Sequence, residues 1–495
     1  MERMSGMDAA FLYIETPTMP MHVVGVVVLD PSGLDHPFGT EEIVSVLAER
    51  LHLIPAFRHR ALAPPAAIDH PVWIEDPEFD LARHVSRAPL AAPVSWEDLE
   101  DFVGQVAGRP LDRSRPLWEM WVVEGLEPSV GGPGGSGPVG TETGSVALVA
   151  KLHHSIMDGA AGGELLASLF DLAPDAPPVP PPAEPWVPDD VPSAPTLVVS
   201  SLRSLLARQR DVPVAVSHAL GGLVDTARTW GAQRRSGKAV PLLAPRTVLN
   251  GALSTRRSVS LVTVDLDHVR EIGQAFGATV NDVVLAATAT ALRRYLSTTS
   301  GGLPPRPLVA AVPVDARGEG PDRGGGQGPG RDQDRGGNHL SNMMVALPLE
   351  PDDPVARLHE VHDHAVASKA LHSAFGTRAL QELTAIAAPA VMGTGAWLFS
   401  RLKLANYVPP VSNLIISNIP GPPIDLYCVG ARVTAIFPMG PVMEGMAMNV
   451  TVLSEAHRLD VGIMACPDLV SHVELLGSSF VDAVSELRRR ATSGR

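Results

Sequence analysis

Two adjacent histidines have the clearest capacity for chemistry in this chain. His153 and His154 open the stretch HHSIMDG, which ends with Asp158 and Gly159. An imidazole accepts and returns a proton near neutral pH, so one of them could serve as a general base. Asp158 would fix the following turn by pairing with a cation or a backbone N–H, and Gly159 suits a turn where a side chain would clash. A histidine pair is also a common packing feature, and the motif alone leaves both interpretations open.

The histidine pair is predicted to lie where a buried strand turns into a helix. Residues 146–152 read as a buried strand, and apolar residues after Gly159 recur at helical spacing. Because side chains alternate along a strand, one imidazole should face a cleft and the other the packed interior. Strand 117–126 is expected to pair with 146–152 as a long hairpin across a glycine-rich loop. No nucleophile-elbow pattern is present, so a covalent serine intermediate has no obvious carrier.

Length, charge and cysteine content limit the possible classes of protein. The chain has 495 residues with 45% hydrophobic content, which favours two domains with packed cores. A net charge of −15 argues against a general nucleic-acid binder. Only two cysteines and no apparent secretory signal suggest a reducing, cytoplasmic setting. The uncharged stretch 383–400 is diluted by proline, glycine and threonine, so we expect a buried or lipid-facing helix rather than a membrane span.

Low-complexity segments suggest how the chain is divided. Residues 174–188 are rich in proline and read as a stiff connector, whereas 128–144 and 317–337 read as surface loops. We therefore expect an N-terminal lobe, a proline-rich and basic helical connector, and a C-terminal lobe, with the ranges 1–185, 186–250 and 251–495. Residues 201–238 carry an excess of cations. They could dock onto anionic lipid, attract phosphates of coenzyme A, or form a solvated helix face.

Several motifs together resemble one enzyme family. They occur in order along nearly the whole chain: MSGMDAAFLYIETPTMPMHV (4–23), LDRSRPLWEMWVVEGL (111–126), HHSIMDG (153–159), SLF (168–170), ND (281–282), GN (337–338) and SNIPGPP (417–423). In this combination the chain closely resembles the bacterial wax ester synthase/acyl-CoA:diacylglycerol acyltransferase family. The resemblance implies an α/β fold of two lobes like those of chloramphenicol acetyltransferases and condensation domains. Each lobe would hold a mixed sheet with flanking helices, with the active-site channel between them.

The resemblance also implies a reaction and its participants. The chain would transfer a fatty acyl group from acyl-CoA to diacylglycerol or a long-chain alcohol, with no cofactor. His154 would be the general base, and His153, Asp158 and Gly159 would support it, with Asp158 facing away from the reacting atoms. Diacylglycerol resides in lipid, so the implied site of action is the inner face of the membrane or a lipid body, visited peripherally.

Asn281 is a candidate contributor to oxyanion stabilisation. The sequence TVND predicts that Thr279 caps a helix with Asp282 at the capping-box position, which places Asn281 in the first helical turn. Helix N-termini favour negative charge. The alternative is that Asn281 only stabilises the helix start or holds a loop.

For the other candidate residues, a structural role is favoured over a functional one. Trp118 could line an acyl tunnel, although an aromatic residue on such a strand is usually core. Asn418 in SNIPGPP could contact substrate, although it more simply holds a proline-glycine turn. Neither His153 with His154 nor the three histidines within 359–364 has a convincing ligand set, so we predict no metal site.

Two other functions remain open at this point. One is a condensation-type transferase that uses a carrier-protein thioester, although no adjoining carrier or adenylation region is recognisable. The other is a non-catalytic protein of lipid droplets or another lipid surface. Retention of both histidines, Asp158 and Gly159 counts against that second alternative.

Overall fold

The structure is a computed structural model, and it combines helices with mixed β-sheets. It describes residues 2–128, 144–156, 167–208, 243–299, 302–315, 340–375 and 389–493. Asp158, Gly159 and most of the basic stretch 201–238 lie outside the described residues, so the predictions for them stay predictions.

Most helices follow the apolar periodicity of the sequence. The longer helices are α1 (Gly6–Ile14), α2 (Thr40–Arg50), α3 (Trp96–Ala107), α4 (Ala194–Arg208), α5 (Leu266–Phe276), α6 (Val280–Thr299), α7 (Pro354–Phe375), α8 (Pro389–Arg401) and α9 (Glu474–Ser493). Local chemistry defines several of their starts. In α3, Ser95 accepts from the N–H of Asp98 while the Asp98 carboxylate reaches back, which forms a capping box. The sequence TEEI (40–43) predicts a cap at Thr40, and this prediction is wrong, because α2 is capped at Gly39 and the Thr40 hydroxyl donates to Glu124.

Within the described residues, the strands form two six-stranded sheets and one small three-stranded sheet. Their bounds are β1 (Glu2–Arg3), β2 (His22–Asp30), β3 (His59–Leu62), β4 (Val72–Glu75), β5 (Val85–Arg87), β6 (Trp118–Leu126), β7 (Ser145–His153), β8 (Ser258–Asp265), β9 (Leu308–Asp315), β10 (Leu340–Leu347), β11 (Leu414–Pro420), β12 (Tyr427–Cys428), β13 (Ala431–Met439), β14 (Met448–Glu455) and β15 (Arg458–Ala465). The N-terminal sheet has the order β12-β13-β2-β7-β6-β5, and the C-terminal sheet has the order β10-β9-β11-β14-β15-β8. Both sheets mix parallel and antiparallel pairs, as predicted.

The N-terminal sheet contains the predicted hairpin and two unexpected strands from the C-terminal part of the chain, β12 and β13. β6 and β7 pair antiparallel from Trp118 opposite Leu152 onward, which confirms the hairpin across the glycine-rich loop. β13 comes from the C-terminal part of the chain and pairs antiparallel with β2. The sequence division at 251–495 did not anticipate this exchange, so the sheets and the sequence halves do not coincide.

Side-chain alternation in β2 links the two sheets into one packed interior. Val24, Val26 and Val28 point into a large core that also contains residues of the C-terminal sheet. Val27 and Leu29 point the other way, into a core beneath α2. Because both faces are covered by packed apolar residues, the strand reads as a nearly continuous apolar run.

Helix α3 forms a close contact between the two sheets. A Cβ at Gly104 would lie 2.6 Å from the carbonyl oxygen of Arg257, and a Cβ at Gly108 would lie 2.6 Å from that of Thr255. Glu100, on the same helix, accepts a hydrogen bond of 2.7 Å from the backbone N–H of Leu261 in the edge strand β8. The glycines therefore let α3 approach the backbone that leads into the C-terminal sheet.

Among the described residues, no single helix is long and apolar enough to cross a membrane. Helices α5 and α6 together have the length and apolar composition of a membrane span, but they are bent by 99° at their junction. Both contribute many residues to the large core. The uncharged stretch 383–400 ends in α8, as expected, and its first residues lie outside the described ranges.

Candidate active site

His153 is the last residue of β7, and its ring points into the protein. Only 1% of its surface is exposed. Its Nδ1 accepts a hydrogen bond of 3.1 Å from the backbone N–H of Ser155 and lies 2.7 Å from the Ser155 hydroxyl. Because a backbone N–H can only donate, the neutral ring carries its proton on Nε2. This Nε2 lies 3.3 Å from the carboxylate of Glu15, so His153 is fixed from both sides.

Glu15 forms the centre of an ionic cluster behind the histidine pair, in which Glu15 and His153 are buried and Arg113 is half exposed. It follows α1 directly, and its carboxylate is 2.6 Å from the guanidinium of Arg113. Burial alone would raise the pKa of Glu15, but His153 and Arg113 outweigh it and lower the pKa to about 2. Glu15 is therefore an anion at neutral pH, and it holds the inner histidine and the chain around it in one arrangement.

His154 begins a short helical turn, His154–Ile156, on the other side of the strand end. Its backbone N–H donates to the carbonyl of Met21 at 2.8 Å. Its ring is half-buried and stacks on Phe11 of α1, with ring centroids 4.3 Å apart and planes 17° apart. The two imidazoles diverge, as expected. His153 lies in the interior, whereas His154 lies against the Phe11 ring of α1.

The surroundings of His154 favour the neutral imidazole. Burial, with a smaller contribution from the neighbouring His153, lowers its pKa to about 4. A hydrogen bond between the ring and its own backbone opposes this lowering. At neutral pH the residue is therefore a base that is already unprotonated.

Two further titratable groups lie beside the histidine pair. His22 on β2 is directly opposite His153 and its Nε2 donates to the carbonyl of Ala107 at 2.8 Å. Burial, together with the neighbouring Lys151, lowers the pKa of His22 to about 3. The Lys151 ammonium is fully buried and lies 2.8 Å from Glu119. The side chains of His22 and Lys151 both donate to carbonyls at the end of α3. They therefore attach this helix to the strands that carry the histidines.

The predicted capping box of α6 is confirmed, and it changes the argument for Asn281. The Asp282 carboxylate accepts from the N–H and the hydroxyl of Thr279, and the Asp282 N–H donates back to that hydroxyl. His362 Nδ1 lies 2.9 Å from the same carboxylate. Asp282 thus already places negative charge at the helix start. Half-buried Asn281 remains a candidate oxyanion donor through its side-chain amide rather than through the helix dipole.

Trp118 is a packing residue. It is 1% exposed, its ring lies between the rings of Phe57 and His84 at 4.3 and 4.4 Å, and its Nε1 donates to the Phe57 carbonyl. These contacts agree with the core role that the sequence favoured, and a substrate contact by Trp118 stays a prediction.

Asn418 lies half-buried in β11, opposite Val452 of β14. The turn that follows requires glycine, because a Cβ at Gly421 would lie 2.5 Å from the carbonyl of Ser454. A substrate contact by Asn418 stays a prediction.

The histidines of α7 bond within the protein. His362 contacts Asp282, and His364 Nδ1 lies 3.1 Å from the carbonyl of Ala346. Within the described ranges, no group of three or more histidine, cysteine or acidic residues is placed to hold a metal ion.

Comparison with known proteins identifies the family. The wax ester synthase/diacylglycerol acyltransferase catalytic domain matches residues 4–130 and 139–284, and the C-terminal domain of the same family matches residues 336–488. The chain belongs to this family. Two relatives from Mycobacterium tuberculosis H37Rv, each named a "putative diacylglycerol O-acyltransferase", are Rv1760, 34% identical, and Rv0221, 32% identical. These alignments cover 98% and 99% of this chain, and 90% and 97% of the relatives.

Solved structures support the fold of the wax ester synthase/diacylglycerol acyltransferase family. The enzyme of that name from Marinobacter aquaeolei VT8 matches with a TM-score of 0.65 at 24% identity, over 99% of this chain and 100% of that one. The first condensation domain of the CDA synthetase matches with a TM-score of 0.54 at 15% identity, over 98% and 96%. The predicted family, fold class and acyltransferase function are confirmed.

Sequence reasoning missed the residues that support the histidines in this family member. Phe11 and Glu15 lie in the N-terminal motif, which was noted for its resemblance but given no role. The pattern that marks them is an aromatic residue in a helix and an acidic residue directly after that helix. This pattern is too common to assign either residue a role. Ser155, inside the histidine motif itself, offered a better clue, because a serine two residues on can bond back to a ring nitrogen.

Proposed function

We propose that this chain transfers a fatty acyl group from acyl-CoA to diacylglycerol or a long-chain alcohol, with His154 as the general base. The proposal is supported most directly by the neutral His154 ring, stacked on Phe11 and set on a rigid strand end. Family membership makes the chain an acyltransferase. The two acceptors follow from the family description and from the names of the relatives.

The proposed step is a direct transfer. The Nε2 of His154 removes the proton from the acceptor hydroxyl as its oxygen attacks the thioester carbonyl. The carbon–sulfur bond then breaks, and the imidazolium returns the proton to the departing CoA thiolate. This route moves one proton and one acyl group, and it uses no cofactor. Binding both substrates at one site would make the attack effectively unimolecular, which is worth several kcal/mol.

Product analysis tests this proposal. The purified protein is incubated with palmitoyl-CoA and either diacylglycerol or hexadecanol, and the lipids are identified by mass spectrometry. We expect triacylglycerol, wax ester or both, with release of free CoA. Binding of the lipids without any new ester would contradict the proposal and favour a non-catalytic lipid-binding protein. Transfer from a carrier-protein thioester but not from palmitoyl-CoA would favour the condensation-type alternative.

The order of events can be tested separately. Incubation with radiolabelled acyl-CoA without acceptor should leave no label on the denatured protein, because the direct route has no acyl-enzyme. Stoichiometric label that an acceptor alcohol removes would instead indicate a ping-pong route and a covalent nucleophile.

The proposed acceptor also implies work at a lipid surface, either a membrane or a lipid body. Two parts of the chain were expected to serve this purpose, the basic stretch 201–238 and the uncharged stretch 383–400. Only the first turns of the basic stretch are described, as part of α4, and there Arg203 is exposed.

A further inference from the structure

The structure carries an exposed apolar surface around the end of α8. Within residues 397–411 six large apolar side chains are exposed, Trp397, Leu398, Leu402, Tyr407, Val408 and Val411. Trp397 and Leu402 are each 54% exposed, and Tyr407 is 78% exposed. Exposed apolar side chains scattered singly are normal, whereas six within fifteen residues indicate a contact surface.

This 397–411 surface is held in shape by the backbone. The Leu402 N–H donates to the Leu398 carbonyl at the end of α8, and the Val408 N–H donates to the Leu404 carbonyl after the chain turns at Lys403, which has a left-handed backbone. Arg246 donates from one guanidinium nitrogen to the Ala405 carbonyl and from another to the Val408 carbonyl. The apolar side chains are therefore presented on an ordered scaffold.

The charge of this region is opposite to that of the whole chain. Residues 389–424 contain Arg401 and Lys403 but no aspartate or glutamate, although the net charge of the chain is −15. Both cations are exposed, and Arg401 lies one turn after Trp397 on the same side of the helix. Exposed tryptophan and tyrosine next to arginine and lysine is the composition of a helix at a lipid interface, where the cations meet anionic headgroups.

The 397–411 surface is close to the catalytic histidine. Helix α8 packs on α1, and a Cβ at Gly393 would lie 3.7 Å from the carbonyl of Tyr13. The hydroxyls of Ser400 and Thr18 are 2.8 Å apart. Phe11, on α1, stacks on His154. A lipid surface bound here would lie one helix away from the histidine that acts on the acceptor.

We propose that the 397–411 surface docks this protein onto an anionic phospholipid surface, with Trp397, Leu402 and Tyr407 inserting among the lipids. This inference rests on the proposed function, because the acceptor it supplies is a lipid. It favours the 397–411 surface over the basic stretch 201–238 as the anchor. Insertion of apolar side chains is largely independent of salt, so binding should weaken at high salt but persist.

Vesicle flotation tests the docking surface. The full chain is compared with W397S/L402S/Y407S on phosphatidylcholine vesicles with and without phosphatidylglycerol, at low and high salt. We expect wild type to bind the anionic vesicles and the triple variant to bind at least about tenfold more weakly, since each lost apolar contact contributes independently. The matched control is L202S/L205S/L206S, which removes three exposed leucines from α4 and should bind as wild type does.

Two further measurements separate the possible outcomes. All variants should acylate a soluble short-chain alcohol at the wild-type rate, because the histidine site is untouched. If wild type acylates neither that alcohol nor diacylglycerol nor hexadecanol, the proposed function fails, whereas unchanged vesicle binding by an active triple variant overturns the docking inference alone. W397F should keep vesicle binding but lose part of the blue shift in tryptophan emission.

A triple variant that changes from dimer to monomer without lipid would identify a protein contact and overturn the proposal.

Discussion

At the scale of residues, Glu15 offers the sharpest test of how the histidine pair is positioned. Glu15→Gln removes the charge that faces His153 Nε2 and Arg113. Because small displacements of a catalytic group cost about 10²-fold, we expect kcat to fall about 10- to 100-fold with little change in KM. Steady-state kinetics on a soluble alcohol would measure this.

The control for Glu15 is Glu119→Gln. Glu119 pairs with buried Lys151 on the neighbouring strand, so this variant also removes one carboxylate charge near the site. It should leave kcat within about twofold of wild type, because glutamine keeps an oxygen acceptor for the Lys151 ammonium, which also donates to the carbonyls of Val106 and Arg109. A Glu15→Gln enzyme with more than half of the wild-type kcat would show that Glu15 has no positioning role.

The pKa of His154 predicts an unusual pH dependence. Its folded-state pKa of about 4 lies below the ordinary value of 6.5, so the base stays unprotonated at mildly acidic pH. We expect the acid limb of kcat/KM to fall near pH 4 to 5, since this profile reports the free enzyme. An acid limb centred between pH 6 and 7 would contradict the lowered pKa of this imidazole.

The same histidines make folding stability depend on pH. In the folded state the pKa values of His22 and His154 are depressed to about 3 and 4. The unfolded chain therefore binds more protons as the pH falls below 6.5, and stability is progressively lost toward pH 4. The Tm should be measured at each pH of the activity profile, because this distinguishes loss of the fold from protonation of the base.

At the scale of elements, the approach of α3 to the C-terminal sheet depends on Gly104. In Gly104→Ala the new Cβ would lie 2.6 Å from the Arg257 carbonyl, which cannot move without shifting the strand. We expect a loss of about 1 to 3 kcal/mol of unfolding free energy, measured by denaturant titration. Gly25→Ala is the control, because nothing lies within 4 Å of its Cβ position. Equal stability of the two variants would contradict the close contact.

The elements that sequence patterns predicted are those defined by local chemistry. The strand 146–152 and the capping box at Thr279 and Asp282 were each encoded within a few residues. The insertion of β13 beside β2 was not predictable in this way, because strand pairing across about 400 residues leaves no local pattern. The cluster of Glu15 with Arg113 and His153 was missed for the same reason, since three distant segments supply it.

At the scale of the whole molecule, Glu100 connects the two sheets and responds to pH. Burial raises its pKa to about 8, while its bond to the Leu261 N–H opposes this. The folded chain thus binds more protons than the unfolded chain between about pH 4.5 and 8, and stability falls as the pH rises through that range. Glu100→Gln keeps an acceptor for Leu261 without the charge.

We therefore expect Glu100→Gln to raise the Tm at pH 8 and to have little effect at pH 5. Differential scanning calorimetry across this range gives both values. The same difference between variant and wild type at every pH would show that Glu100 titrates normally and that its burial has no electrostatic consequence.

The central claim is that His154 is the base in a direct acyl transfer, and its most direct test is the turnover of His154→Ala. With palmitoyl-CoA and a soluble alcohol, kcat should fall by about 10² to 10⁴, the usual contribution of a general base. The far-UV circular dichroism of the variant should match that of wild type, because the His154 ring is only half-buried. A well-folded His154→Ala enzyme that keeps more than half of the wild-type kcat would contradict the claim.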